Sequence, residues 1–314
     1  MILFAAVAAV LCLFAPGAHC ASTTIPWCYH DPSCNDSQWA TIVPQYCNGS
    51  RQSPINIVSA SATANANLTA FTFDGFSSTS AMKSLENTGK TVKVTLNPGV
   101  RISGGDLSEA YDTLQIHLHW GNGSSVPGSE HTVDGKRYPM ELHIVNSKSS
   151  YNRNTTLAVE DSQGLAALGF LIEELKDTTG QPAAWKNLST LLSNISLAGQ
   201  SVSLAAGISL DDLLVGVNRS NYYRYLGSLT TPACNEAVVW TVFKDTIKVS
   251  KDLINLISSS LHINDSSSPV MVNVFRNIQP AQPVSTQPKD STSSSTKMGF
   301  SLGLMVLGLM LRWI

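Results

Sequence analysis

Three histidines carry the strongest chemical signal in this chain. His117 and His119 sit two residues apart in Leu114-Gln115-Ile116-His117-Leu118-His119-Trp120, where apolar and polar residues alternate. That period of two reads as a β-strand with one apolar face, so both imidazoles point to the same side. After a Gly-containing stretch comes Met140-Glu141-Leu142-His143-Ile144-Val145, in which Glu141, His143 and Val145 share a face. If the two strands are neighbours, three imidazoles converge. Three neutral nitrogen ligands and one open position form the pattern of a catalytic zinc site. The competing reading, satisfied core histidines, fits one His-x-His pair well and fits three less well. A ligating histidine usually gives its other N–H to an acceptor. Gln115 stands two residues before His117, and Glu141 two before His143, each on its histidine's face. His131 reads as a structural hydrogen-bonding residue, and His30 and His262 as surface or loop positions.

Elements that would position these strands are scattered along the whole chain. Phe71 to Phe76, Val92 to Leu96, Val100 to Ile102, Val238 to Lys248 and Met271 to Phe275 read as strands. Leu165 to Ile172 is a continuous apolar run that suits a buried strand or a buried helix. Pro182 to Ile195 predicts a helix with Pro182 in its first turn, and Ser250 to Leu261 a second with Ser250 as N-cap. Residues 21–50 form an arm rich in Cys, Trp and Tyr with little periodicity. Many strands and few helices predict an α+β, β-dominated fold: one domain around a large, mostly antiparallel sheet with short surface helices.

The chain has 314 residues, 43% of them hydrophobic and only 13% charged, with a formal net charge of −2. The length fits one large domain or two small ones. No basic block suggests a nucleic-acid partner. Residues 1–20 lack Asp, Glu, Lys and Arg, and Ile2 to Phe14 is apolar, which reads as a secretory signal peptide. The folded domain is expected over 21–283. Residues 284–297 form a polar Ser/Thr/Pro-rich stalk. Met298 to Leu311 is apolar but shorter than the about 20 residues needed to span a bilayer. Small residues, a polar spacer and a short apolar end predict a GPI signal, with Ser291, Ser293 and Ser294 as candidate attachment residues and the tail 298–314 removed. The protein is therefore expected at the extracellular face of the cell membrane. Nine sequons, at Asn35, Asn48, Asn67, Asn122, Asn154, Asn187, Asn194, Asn218 and Asn264, predict a glycosylated surface of exposed loops. Dense glycans favour a monomer. Cys28, Cys34, Cys47 and Cys234 remain after signal removal, and by spacing alone three disulfide pairings are open.

Several segments resemble one family. Gln52-Ser53-Pro54-Ile55-Asn56-Ile57, His117-Leu118-His119-Trp120-Gly121, Gly128-Ser129-Glu130-His131-Thr132, Glu141-Leu142-His143 and Ser228-Leu229-Thr230-Thr231-Pro232 occur in this order in α-class carbonic anhydrases. The resemblance runs from about Trp27 to Pro283, and the two terminal signals are similar to those of the GPI-anchored type IV branch. It implies a single twisted sheet with Zn2+ at the base of a conical cleft. It also implies reversible hydration of carbon dioxide to bicarbonate and a proton, by attack of a zinc-bound hydroxide. By resemblance His117, His119 and His143 are the ligands. Thr230 orients the nucleophile and donates to Glu130, and Thr231 binds bicarbonate or inhibitor anions, sulfonamides among them. Val145, Ala167, Leu229 and Trp240 match the wall of an apolar substrate pocket. Val239 matches it too, but reads better as core. Ala167 occupies a position that is often larger. Cys28–Cys34 and Cys47–Cys234 are the pairings the resemblance implies. Bicarbonate or proton transporters are the protein partners it suggests.

One departure concerns the proton. Fast members of the family carry a rim histidine in an Asn-x-Gly-His context, and here the run is Asn87-Thr88-Gly89-Lys90. Lysine's ordinary pKa of about 10.4 suits proton transfer near neutrality poorly. Lys93 adds a second cation. Buffer-dependent proton release is expected, with Tyr29 and Tyr225 as polar wall residues able to hold water or, alternatively, as simple packing. Two other functions use the same fold: an acatalytic recognition module, which loss of a ligand histidine would favour although all three are present with Thr230 and Glu130, and an esterase side activity using the same hydroxide.

Overall fold

The computed structural model describes residues 26–175 and 182–288; the signal region, Ser291, Ser293, Ser294 and the apolar tail lie outside them. A 13-stranded sheet runs through the domain. Its main path is Ser201–Ser203, Met82–Asn87, Val92–Leu96, Tyr111–Trp120, Met140–Lys148, Leu165–Leu175, Val238–Phe243, Tyr222–Gly227, Ser285–Thr286 and Thr63–Ala64. Leu165–Leu175 pairs in parallel with Val238–Phe243 and then with Ile247–Ser250, and Ser285–Thr286 pairs in parallel with Thr63–Ala64. The remaining ladders of this sheet are antiparallel, as expected.

Side chains on the central strands divide by parity. Ile116, Leu118, Leu142, Ile144, Leu168 and Phe170 enter one buried apolar cluster, to which Trp185, Leu253 and Ile257 from the two main helices also belong. Burying each such large side chain stabilises the fold by about 1.5–3 kcal/mol. Gln115, His117, His119, Glu141 and His143 occupy the alternate positions, which is why the polar residues collect on the other face. On that face Leu165, Ala167, Tyr225, Trp240 and Val242 form a second cluster. Val239 packs in the first cluster, in line with the core reading.

Four expectations need correction. The helix predicted over Pro182 to Ile195 is an α-helix at Ala183–Ser189 followed by a 3-10 turn at Leu192–Ile195, with Pro182 as N-cap. Ser189 Oγ donates to Lys186 O and Thr190 Oγ1 to Asn187 O, at 2.6 and 2.7 Å, so local side chains compete for the carbonyls that would continue the helix. The strand predicted over Val238 to Lys248 breaks between Phe243 and Ile247, where the chain passes from one half of Leu165–Leu175 to the other. Met271 to Phe275 is extended but joins no ladder. Asn273 is left-handed (φ 52°), and the segment instead donates from Asn273 and Val274 to the carbonyls of Gly121 and Trp120. The sheet continues past the expected boundary at residue 283, because Ser285–Thr286 pairs with Tyr223 and Arg224.

The N-terminal arm holds a short helix, Asp36–Ile42, capped by Asn35, which its composition did not announce. Both disulfides, Cys28–Cys34 and Cys47–Cys234, are present. Eight of the nine sequon asparagines are exposed and Asn35 is half-buried; Asn187 lies in the helix Ala183–Ser189 and Asn194 in the 3-10 turn, not in loops.

Candidate metal centre

Register brings the histidines together. His143 lies directly opposite His117 and Glu141 opposite His119 on antiparallel strands. The ring centroids stand 5.0, 5.1 and 4.6 Å apart for 117–119, 117–143 and 119–143. One nitrogen from each converges on a common point, all three within 4.8 Å of one another.

The outer nitrogen of every ring faces a pure acceptor. His117 Nδ1–H donates to Gln115 Oε1 at 2.9 Å, His119 Nδ1–H to the Val274 carbonyl at 2.8 Å, and His143 Nε2–H to Glu141 Oε1 at 2.8 Å. In a neutral imidazole only one nitrogen carries the proton. The inner atoms, Nε2 of His117 and His119 and Nδ1 of His143, are therefore lone pairs aimed at each other. Burial, the main cause, holds all three rings below the usual histidine pKa: His117 well below, His119 to about 4, His143 lowered despite the neighbouring Glu141. Converging lone pairs repel unless a cation sits between them. His143 Nδ1 and His117 Nε2 are 3.3 Å apart, and nitrogens about 2.0–2.1 Å from a tetrahedral zinc lie about 3.3 Å from one another. His119 Nε2 is buried and has no hydrogen-bond partner. The donor set fits a divalent metal.

Around the triad, Glu141 is the most heavily used acceptor. Its Oε1 takes His143 and His131 Nδ1 at 2.7 Å, and its Oε2 takes the His131 backbone N–H at 2.7 Å. Burial alone would raise the Glu141 carboxyl, but His131 and His143 outweigh it and hold the group well below the carboxylate range. Gly169 sits opposite His143, and a Cβ there would come within 3.0 Å of Glu141 Oε1. His131 Nε2 meets the Tyr225 hydroxyl at 2.6 Å, which in turn meets Ser53 Oγ at 2.8 Å. His131 is thus structural, as expected. Tyr225 is buried in this network and does not line the cleft, so of its two sequence readings packing holds and the cleft wall does not.

Glu130 is fully buried, with Oε1 accepting from the Arg276 backbone N–H at 2.9 Å and Oε2 lying 3.3 Å from His119 Nε2. Burial pushes its carboxyl up to about 7, against the opposing pull of His143, the Thr230 hydroxyl and the Arg276 N–H. The Thr230 hydroxyl acts on this carboxyl from the loop after Tyr222–Gly227, while Glu130 Oε2 has no full hydrogen-bond partner. That loop is pinned by Ser228, which exchanges hydrogen bonds with Ser53, by Leu229 N–H to Asn235 O, and by the Cys47–Cys234 bridge. Arg276 was not singled out in the sequence. Its guanidinium joins Gln52 Oε1 and the Ser53 carbonyl at 3.0 and 2.8 Å, so the Gln52-Ser53-Pro54 stretch ties the Thr230 loop to Glu130.

Two spaces open on the triad. An inner recess of ≈ 100 Å³ is lined by His117, His143, Thr230 and Thr231 and by Val145, Ala167, Leu229 and Trp240, with Leu165 and Val238 added to the expected wall. The outer cleft, ≈ 580 Å³, is lined by Trp27, Tyr29, Thr88, Lys90, Lys93 and Gln115 above His117 and His119. A small apolar pocket of ≈ 40 Å³ among Leu85, Ile116 and Trp185 lies within the apolar cluster behind the sheet and is a packing feature.

Residues 34–285 match the model of the eukaryotic-type carbonic anhydrase family. The chain belongs to that family. As a carbonic anhydrase it is a lyase, a carbonate dehydratase of carbon dioxide and bicarbonate, and such enzymes are zinc enzymes. Carbonic anhydrase 4 of Oryctolagus cuniculus is 37% identical over 267 residues, covering 83% of this chain and 82% of the relative. Carbonic anhydrase 4 of Mus musculus is 38% identical, with 82% and 81% covered. Carbonic anhydrase 12 of Homo sapiens is 33% identical over 293 residues, with 90% and 80% covered.

Proposed function

We propose that this carbonic anhydrase hydrates carbon dioxide with Zn2+ held by His117 Nε2, His119 Nε2 and His143 Nδ1, at the extracellular face of the cell membrane. The convergence of three proton-free nitrogens, each fixed by an acceptor on its outer side, carries this reading. When bound, zinc lowers the pKa of its water to about 7 and so supplies a nucleophile at neutral pH, carbonic anhydrase being itself the reference case for that value.

The chain's own residues do the rest. Gln115, the Val274 carbonyl and Glu141 keep the ligand tautomers fixed. With its O–H directed as a hydrogen-bond donor towards Glu130, the Thr230 oxygen can only accept from the nucleophile, so it selects a partner that has a proton to donate. Carbon dioxide has no charge and accepts hydrogen bonds weakly, which suits the recess of Val145, Ala167, Leu229 and Trp240. Thr231, half-buried at the junction of recess and cleft, receives bicarbonate, and the same place takes sulfonamide or anion inhibitors.

At the rim, Lys90 stands over the Trp27 ring at 4.6 Å and Lys93 pairs with Glu86 at 2.9 Å. Burial lowers the Lys90 ammonium from its ordinary value, but a lysine still stands where a rim histidine would carry the proton, so proton release depends on buffer. Residues 1–20 act as the export signal. The folded domain ends after Thr286, the remaining polar stretch to residue 297 accepts a GPI lipid at Ser291, Ser293 or Ser294, and glycans on the exposed sequons keep the protein monomeric. No helix of the described residues is long and apolar enough to cross a membrane. Bicarbonate or proton transporters are suitable membrane partners for such a product.

Stopped-flow carbon dioxide hydration with metal analysis tests this reading. Activity with one zinc per chain, lost with the metal in His119→Ala, supports it; a protein that binds no zinc, or one inert with zinc bound, refutes it.

A further inference from the structure

Each hydration leaves one proton at the cleft floor, and it must reach solvent. A base suited to carry it has a conjugate acid near pH 7 and touches water. Among the groups lining the cleft, Lys90 and Lys93 are cations, and burial raises Tyr29 well above 10, so its hydroxyl keeps its proton. Of the seven histidines, His19 lies outside the described residues and three form the floor. His131 is enclosed between Glu141 and Tyr225, and His262 donates from Nδ1 to the Ser268 carbonyl away from the cleft lining.

His30 remains. It is exposed, and its ring packs against Tyr29 with centroids 6.4 Å apart. Tyr29 lines the same cleft as His117 and His119 and is fixed by an edge contact to Trp27 at 5.3 Å and a tilted ring contact to Trp39 at 5.7 Å. The Cys28–Cys34 bridge closes a tight loop around His30, held further by Cys28 N–H to Cys34 O at 2.8 Å. The imidazole does not itself line the cleft but is tethered against Tyr29, which does, on the N-terminal arm.

We propose that His30 is the proton acceptor of this cleft, taking the proton through water held beside Tyr29 and passing it to buffer in solvent. The inference rests on the proposed function and names the residue behind whatever turnover survives in dilute buffer. The step moves one proton and no electrons: an N–H bond forms at His30 as a water O–H breaks, and a buffer base removes that proton in the return step. The charged groups around His30 set its readiness. Lys90 stands near enough to oppose its protonation, and Asp31, next in the chain, is engaged by Ser33 N–H at 2.8 Å and Ser33 Oγ at 2.7 Å. Partial burial, then Lys90, hold the ring below 6.5, so it is neutral and able to accept at pH 7.

The test combines hydration kinetics of the zinc-loaded full chain with an NMR titration of the His30 ring. In dilute buffer His30→Ala is expected to lower kcat about tenfold with kcat/KM unchanged, and added imidazole to restore it. Lys90→Ala is expected to raise the His30 midpoint and to move the dilute-buffer pH profile of kcat upward with it. An active wild type whose dilute-buffer kcat ignores His30→Ala overturns this inference alone. So does a fall of kcat and kcat/KM together, or a midpoint that Lys90→Ala leaves in place. A wild type inert with zinc bound overturns the proposed function and this inference with it.

Discussion

At the floor of the cleft each imidazole is fixed twice, by a central strand and by an acceptor on its outer nitrogen. At the rim, Lys90 rests on one aromatic ring and His30 on another, both on surface segments. Chemistry at the floor needs a metal held within tenths of an ångström, so its side chains are buried or half-buried and the outer nitrogen of each imidazole is hydrogen-bonded. Proton traffic at the rim needs groups that reach water and change charge, so burial and tight pairing would defeat it. Changes at the floor should therefore act on zinc and on kcat/KM, and changes at the rim on kcat in dilute buffer alone.

The largest effect belongs to the ligands. His119→Ala is expected to retain no zinc after dialysis and to show background activity, with folding intact by circular dichroism. Zinc bound at wild-type stoichiometry would break the assignment of the floor. Thr230→Ala keeps the metal but loses its orienting contact to Glu130. Misplacement of this order costs about 100-fold, read as kcat/KM in stopped flow. Gln115→Ala and Glu141→Ala are expected to weaken zinc affinity by about 10–100-fold, measured by competition with a chelator. Glu141→Ala also leaves the His131 N–H groups unpaired, at about 1–3 kcal/mol each, so its melting temperature should fall further than that of Gln115→Ala. The smallest effect sharpens the other side of the contrast. Lys90→His should raise kcat several-fold in dilute buffer and leave kcat/KM and zinc affinity unchanged. Equal rates in dilute and concentrated buffer, for wild type and variant alike, would erase the distinction between floor and rim.

His117 and His119 could be read from the sequence because strand alternation is local: two residues apart means one face. His143 required only that its strand be a neighbour in register, which it is. Gln115 and Glu141 were visible by the same parity. The acceptor for His119 was not, because it is a backbone carbonyl, Val274, supplied by a segment 155 residues away whose left-handed Asn273 keeps it out of the ladder. Between wall and packing, Tyr225 could not be decided from its own neighbours, because Ser53 and His131, distant in the chain, are what enclose it. Arg276 gave no local signal, since its role lies in joining Gln52 and Ser53 to Glu130 across the chain. His30 was read as a surface residue, correctly, but exposure alone did not place it against Tyr29, which lines the cleft.

X-ray absorption at the zinc edge, on the purified full-length protein, tests the metal centre most directly. Three imidazole nitrogens and one oxygen at about 2.0–2.1 Å are predicted. Fewer than three imidazoles, a sulfur neighbour, or no bound zinc would contradict the assignment of His117, His119 and His143.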